Sequence, residues 1–150
     1  MPERAFDTPF GRMTVVAEND AIIRVMWRDG ARDKTPVLLE AEAQIAAYSA
    51  HRLLAFELPM HIKASPFQQR VCEAMQAIPL GETRQYGDLA GDLGVSAQAI
   101  GQACGGNPIP ILIPCHRVLA ATGLGGFSGG TGIETKVQLL RHEGAASLLI

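Results

Sequence analysis

Cys115, His116 and Arg117 stand side by side in the stretch Ile109-Pro-Ile-Leu-Ile-Pro-Cys-His-Arg-Val118. A thiol becomes a nucleophile when its pKa falls, and a neighbouring histidine or arginine is the usual cause. This stretch supplies both. The same cysteine also suits a small buried hydrophobe, the common state of a free thiol, and residue type alone leaves both readings open. A carboxylate in want of a partner lies further on. Glu143 closes a helical pattern over 133–143, where the helix dipole favours Arg141 and His142 but repels an acid. A donor such as His116 would account for it. Cys104, Cys115 and His116 do not follow the spacing of a structural zinc site, so no metal or cofactor is expected.

These residues need elements to hold them. Ile109, Ile111, Leu112 and Ile113 favour burial, while Pro110 and Pro114 push their predecessors into extended geometry. That predicts a stiff, buried, extended rod delivering Cys115 to a fixed place. Upstream, Ser65-Pro66 is a helix start, and Phe67, Val71, Met75 and Ile78 recur at helical spacing on one buried stripe. Cys72 sits beside that stripe as packing. From Tyr86 to Ala103 the chain reads helix, tight turn, helix. Leu89, Ala90 and Leu93 face inward, Gly94 turns, Val95 plugs, Ser96 caps, and Ile100 and Ala103 face back. This pattern fits a DNA-binding helix-turn-helix or a plain helical hairpin. Between Ser96 and Gly106 there is no Lys or Arg, so charge grips few phosphates and the salt dependence of binding should be shallow. Asn107-Pro108 marks a turn. Leu119–Gly130 holds five glycines in twelve residues, either a flexible connection or a wall of backbone donors around a small ligand. In the last helix Val137, Leu139 and Leu140 are expected inside, with Gly144 as terminal cap.

The first third has no cluster of reactive side chains. Phe6–Arg12 reads as a turn, Met13–Ala17 and Ile22–Trp27 as strands, Pro36–Ala50 as a helix, and Leu53–Leu58 as a returning strand. The fold class is therefore α+β. A small β-rich scaffold lobe with one helix covers 1–62, and a mainly helical domain with the helix-turn-helix covers 63–150. The chain has 150 residues and a net charge of −2, which does not advertise a basic nucleic-acid surface. Three cysteines imply no disulfide framework and fit a reducing cytoplasm. No signal peptide and no apolar run of membrane-spanning length is present, so no membrane partner is expected.

The motifs together carry a resemblance. Gly106-Asn-Pro-Ile-Pro-Ile-Leu-Ile, Pro114-Cys-His-Arg-Val118, Gly126-Phe-Ser-Gly-Gly and Arg141-His-Glu-Gly144 resemble the O6-alkylguanine-DNA alkyltransferases, over roughly Ser65 to Gly144. Thr8-Pro-Phe-Gly and its hairpin match more weakly. The resemblance implies DNA repair by irreversible transfer of an alkyl group to a cysteine, without cofactor. It implies a monomer that binds the minor groove of double-stranded DNA containing O6-alkylguanine and flips the damaged base into a pocket. Cys115 then resembles the acceptor, His116 a base acting through a water, Glu143 the carboxylate that orients it, and Tyr86 a donor to the flipped base. Ser128, Asn107, Arg117 and Phe127 fall at substrate-side positions, Asn107 as a brace of the turn. Ser96, Ala97, Gln98, Gly101 and Gln102 fall on the DNA-facing helix. Gln98 stands where the family usually places an arginine. Two other functions fit parts of the pattern. A helix-turn-helix regulator with a structural or redox-sensing cysteine leaves Pro-Cys-His-Arg without a task. A Cys-His hydrolase would turn over repeatedly.

Overall fold

The computed structural model describes residues 1–145, so positions 146–150 of the expected second domain lie outside the described residues. The chain forms two compact units, Met1–Lys63 and the remainder from Ala64.

The first unit is an antiparallel meander, β1 (Glu3–Thr8), β2 (Gly11–Glu18) and β3 (Ala21–Met26), with helix α1 (Pro36–Ser49) against it. Asn19 and Asp20 both have positive φ, 50° and 61°, as a two-residue hairpin turn requires. Helix α1 buries Leu38, Ala41, Ile45 and Tyr48, one stripe at helical spacing, and the Tyr48 ring stacks at a tilt on Phe10. Two expectations fail here. Phe6 to Thr8 belong to a strand, and the turn is confined to Pro9-Phe10. The Thr-Pro signal hides a strand that is buried from Arg4 to Phe6. Leu53–Leu58 is no strand either, and Leu54 is 82% exposed. The chain instead pairs two residues later, where Ile22 exchanges backbone hydrogen bonds with Pro59 and His61.

The second unit contains helices α2 (Pro66–Gln76), α3 (Tyr86–Leu93), α4 (Ala97–Gly105) and α5 (Ile133–His142). Their ends follow local chemistry. Ser65 Oγ accepts from Gln68 N and Ser96 Oγ from Ala99 N, both at 3.1 Å. Gly94 takes φ 69° and turns α3 into α4, a conformation that costs glycine little. Leu93 and Val95, expected inside, are half-buried, because the crossing is sealed by Leu89, Ala90, Ile100 and Ala103. In α5 the buried residues are Thr135, Lys136, Leu139 and Leu140, while Val137 is half-buried. A two-residue parallel ladder joins β4 (Arg84–Gln85) to β5 (Val118–Leu119), pairing Arg84 with Val118 and Gln85 with Leu119.

The segment before Cys115 is buried throughout but is not an extended rod. Ile113 N donates to Ile109 O at 2.9 Å, closing a turn, and Ile111 has φ 71°. A β-branched residue rarely adopts that backbone. Two features hold it. The apolar side chains on both sides are buried, and the Asn107 amide spans the turn, accepting from Ile109 N at 3.0 Å and donating to Ile113 O at 2.8 Å. The prolines stiffen a knot, not a rod.

Candidate active site

The knot hands the chain to a single 3-10 turn, Cys115–Arg117, followed at once by β5. Tyr86 is the residue after β4. The parallel ladder therefore fixes Tyr86 and Cys115 beside one cavity of about 440 Å³. Gly101, Cys104 and Gly105 of α4 and Gly126, Phe127 and Ser128 of the glycine-rich loop complete its wall. A methyl group at Gly125 would meet the Tyr86 hydroxyl at 2.6 Å, so glycine is what lets the loop close onto the tyrosine. Ser128 Oγ ties the loop to α4 through Gly105 O at 3.4 Å.

Behind Cys115, away from the cavity lining, lies a buried charged network. His116 and the Glu143 side chain are fully buried and meet at 2.6 Å between Nε2 and Oε2. Arg117 Nε donates to Glu143 Oε1 at 2.8 Å and its Nη2 to Oε2 at 3.1 Å, while Nη1 donates to Ile78 O at 2.6 Å. Burial alone would raise the Glu143 pKa, but the bonds from His116 and Arg117 outweigh it and hold the carboxyl at about 2. Burial lowers the pKa of His116 against the pull of Glu143, so the imidazole is neutral near pH 7. An ionised carboxylate only accepts, so the single ring proton is on Nε2. Nδ1 is left with its lone pair, buried and without a protein partner. That is a proton acceptor held ready.

Cys115 itself is pushed up to about 11 by burial, against the lowering effects of Asn107 and Lys136. The resting site thus holds a neutral thiol and a neutral base. Tyr86 is also raised, chiefly by burial, and its hydroxyl bonds the Gly126 backbone.

Lys136 was not foreseen from the sequence. It is fully buried, donates from Nζ to Val118 O at 2.7 Å and Gly126 O at 3.1 Å, and lies 5.7 Å from the Tyr86 ring centroid. Burial brings its pKa down to about 8, and Cys115 and Cys104 pull the other way. One amine therefore ties β5 to the glycine loop and puts positive charge near both thiols. Its spacing from Leu139 and Leu140 on α5 was the available signal.

The expected residues divide by position. Cys115, Tyr86, Phe127, Ser128 and Gly101 line the cavity. His116 and Glu143 stand behind the thiol. Arg117, expected on the substrate side, is not among the lining residues, because Glu143 and Ile78 occupy its guanidinium. Asn107 braces the knot. Ser96, Ala97, Gln98 and Gln102 are exposed on α4. Among the described residues no cluster of three His, Cys, Asp or Glu side chains could hold a metal ion, and no helix is long and apolar enough to cross a membrane.

A buried cysteine backed by His and Glu, on a wall that continues into a helix-turn-helix, defines a cysteine-centred transferase carried on a DNA-binding fold. The sequence from 66 to 145 matches the family model of the 6-O-methylguanine DNA methyltransferase DNA-binding domain. A methylated-DNA–protein-cysteine methyltransferase from Mycolicibacterium paratuberculosis is 36% identical over 98% of this chain and 96% of its own length. The crystal structure of Mycobacterium tuberculosis O6-methylguanine methyltransferase superposes with a TM-score of 0.84 at 33% identity, covering 99% of this chain and 95% of that one. The same organism's OGT, solved in complex with DNA, gives 0.83 at 36% identity, over 95% and 92% of the two chains. The chain belongs to the O6-methylguanine-DNA methyltransferase family. Its activity is DNA repair by transfer of an alkyl group to a cysteine of the protein itself.

Proposed function

We propose that Cys115 is the acceptor and that each molecule acts once. The observation that carries this reading is the pairing of Cys115, on the cavity wall, with a neutral His116 whose Nδ1 lone pair is unused. Alkyl transfer is an in-line displacement. The carbon–oxygen bond of the lesion breaks as the carbon–sulfur bond forms, and the thiol must lose its proton. His116 Nδ1 takes that proton through a water, and Glu143 stabilises the resulting imidazolium. The Tyr86 hydroxyl, already engaged with a backbone group, turns to donate to the leaving guanine as its charge grows. Phe127 and Ser128 contact the base, Asn107 keeps the knot shut, and Arg117 keeps Glu143 in place. No product-releasing step exists for a thioether, so the cysteine is spent.

The partner is double-stranded DNA containing O6-alkylguanine. Helix α4 enters the minor groove with Ser96, Ala97, Gln98, Gly101 and Gln102 at the contact. The damaged base leaves the stack to reach the cavity, at a cost of a few kcal/mol. The protein acts as a monomer in the cytoplasm, without a cofactor. Residues 63–150 carry the reaction and 1–62 act as scaffold.

The deciding experiment is mass spectrometry after incubation with an O6-methylguanine duplex. One methyl group per molecule, on the peptide containing Cys115, is expected. Multiple turnovers, or repair with Cys115 unmodified, would overturn the reading. Cys115→Ser should still bind the lesion and should transfer nothing.

A further inference from the structure

Cys115 shares its cavity with a second thiol. Cys104, in the last turn of α4, lines the same wall and is buried. A 3.6 Å contact between its sulfur and Met75 Sδ packs it against α2. Two cysteines from different elements therefore share one cavity wall, beside the proposed point of alkyl delivery. A methyl group on Cys115 is inert, because a thioether methyl has no leaving group. An alkyl group bearing a leaving group on its second carbon is not.

We propose that the Cys104–Cys115 pair captures 2-haloethyl groups as an ethylene bridge between the two sulfurs. The inference rests on Cys115 being the acceptor. Three steps balance. First the guanine oxygen–carbon bond breaks and Cys115 becomes an S-(2-haloethyl) thioether, its proton leaving through His116. Next the Cys115 sulfur lone pair displaces halide, which departs with the carbon–halogen pair, and a three-membered episulfonium ring closes. Then Cys104 sulfur attacks a ring carbon, the broken carbon–sulfur pair returns to Cys115, and the Cys104 proton passes to a base. Lys136 suits that last duty. Its charge interacts with both thiols, and with its pKa brought to about 8 a substantial fraction is neutral in mildly alkaline solution. Cys104, pushed up to about 12 mainly by burial, stays a neutral thiol until the strained ring presents itself. The bridge asks less of the geometry than a disulfide. A disulfide needs its sulfurs at about 2 Å, whereas a two-carbon tether holds them at roughly twice that. Water and DNA are the competing nucleophiles, and Cys104 belongs to the same cavity wall as the sulfur that carries the ring.

The test uses the full chain and a freshly made duplex oligonucleotide containing O6-(2-chloroethyl)guanine, with O6-methylguanine duplex in parallel. After reaction the protein is denatured, its free thiols are counted, and its peptides are mapped. Of the three cysteines, the chloroethyl arm should leave one free and the methyl arm two. The Cys104 and Cys115 peptides should be joined by an ethylene unit. A hydroxyethyl group on Cys115 with Cys104 free, a Cys115–DNA adduct, or a bridge to Cys72 would each overturn the proposal while leaving Cys115 the acceptor. Methylation of Cys115 with no reaction in the chloroethyl arm would overturn it too. A Cys115 untouched in both arms would overturn the acceptor reading and this inference with it. Cys104→Ala, verified as folded by circular dichroism, should convert the bridge into hydroxyethyl-Cys115.

Discussion

The 3-10 turn at Cys115 and the outer face of α4 belong to the same unit and treat charge in opposite ways. Around the turn, His116, Arg117, Lys136 and Glu143 are buried and bonded. On α4 the exposed residues are Ala97, Gln98, Gln102 and Gly105, with no cation from Ser96 to Gly106. Most DNA-binding surfaces spend their positive charge on phosphates. Here it is kept inside, where low dielectric strengthens each interaction. Charge in this unit serves the buried turn more than the face of α4.

Removing the central anion should disturb the buried turn most severely. Glu143→Gln leaves Arg117 and His116 buried beside a neutral amide, and loss of one partner of a buried pair typically costs about 3–5 kcal/mol. Chemical denaturation should report a loss of that size, with transfer slowed as His116 loses its orienting carboxylate. Glu143 is depressed to about 2, so its contribution is complete above about 4.5 and is lost as pH falls toward 2. The stability gap between variant and wild type should therefore close across that window. An unchanged gap at pH 3 would show that the network does not depend on the carboxylate charge.

The pH dependence of transfer sharpens the same side of the comparison. In the proposed reaction the base is the neutral imidazole of His116, which burial depresses below its ordinary 6.5. Single-turnover rates should hold through pH 6.5 and fall only in more acidic solution, as His116 gains a proton. A midpoint at or above 6.5 would mean that another group supplies the base.

A smaller effect concerns the cavity itself. An alkyl group on Cys115 adds volume between the knot and the glycine loop, and overpacking of this kind costs on the order of 1–3 kcal/mol. The alkylated protein should melt below the free one. An equal or higher melting temperature would mean that the wall yields without strain.

The smallest effect tests the opposite face. Gln98→Arg puts one cation on α4. If it reaches a phosphate, the slope of log affinity against log salt should steepen by about 0.9. An arginine that fills the vacated base position should also speed repair in duplex DNA and leave the rate on free benzylated guanine unchanged. Equal duplex rates would place Gln98 away from the DNA.

The parts of the molecule legible in advance are those governed by local rules. Ser65 and Ser96 cap, Gly94 turns, and an acid at the wrong end of α5 announces a partner, which is His116. What sequence hid depends on tertiary context. Lys136 carries the residue type of a solvated face, yet its helical spacing from Leu139 and Leu140 turns it inward, where two carbonyls receive it. Arg117 looks free to meet a substrate until Glu143 folds back to claim it. Ile111 obeys no local preference. Its left-handed backbone is imposed by the burial of its neighbours and by one asparagine amide. The ladder of β4 and β5 is two residues long and parallel, too short for any periodicity to declare.

That ladder also acts as a lever. Helix α3 begins one residue beyond it on one strand, and the Cys115–Arg117 turn ends immediately before it on the other. The two cannot rotate independently without breaking Arg84–Val118 or Gln85–Leu119 pairing. With α4 docked on DNA as proposed, a force on the helix-turn-helix would reach Cys115 through these two pairs.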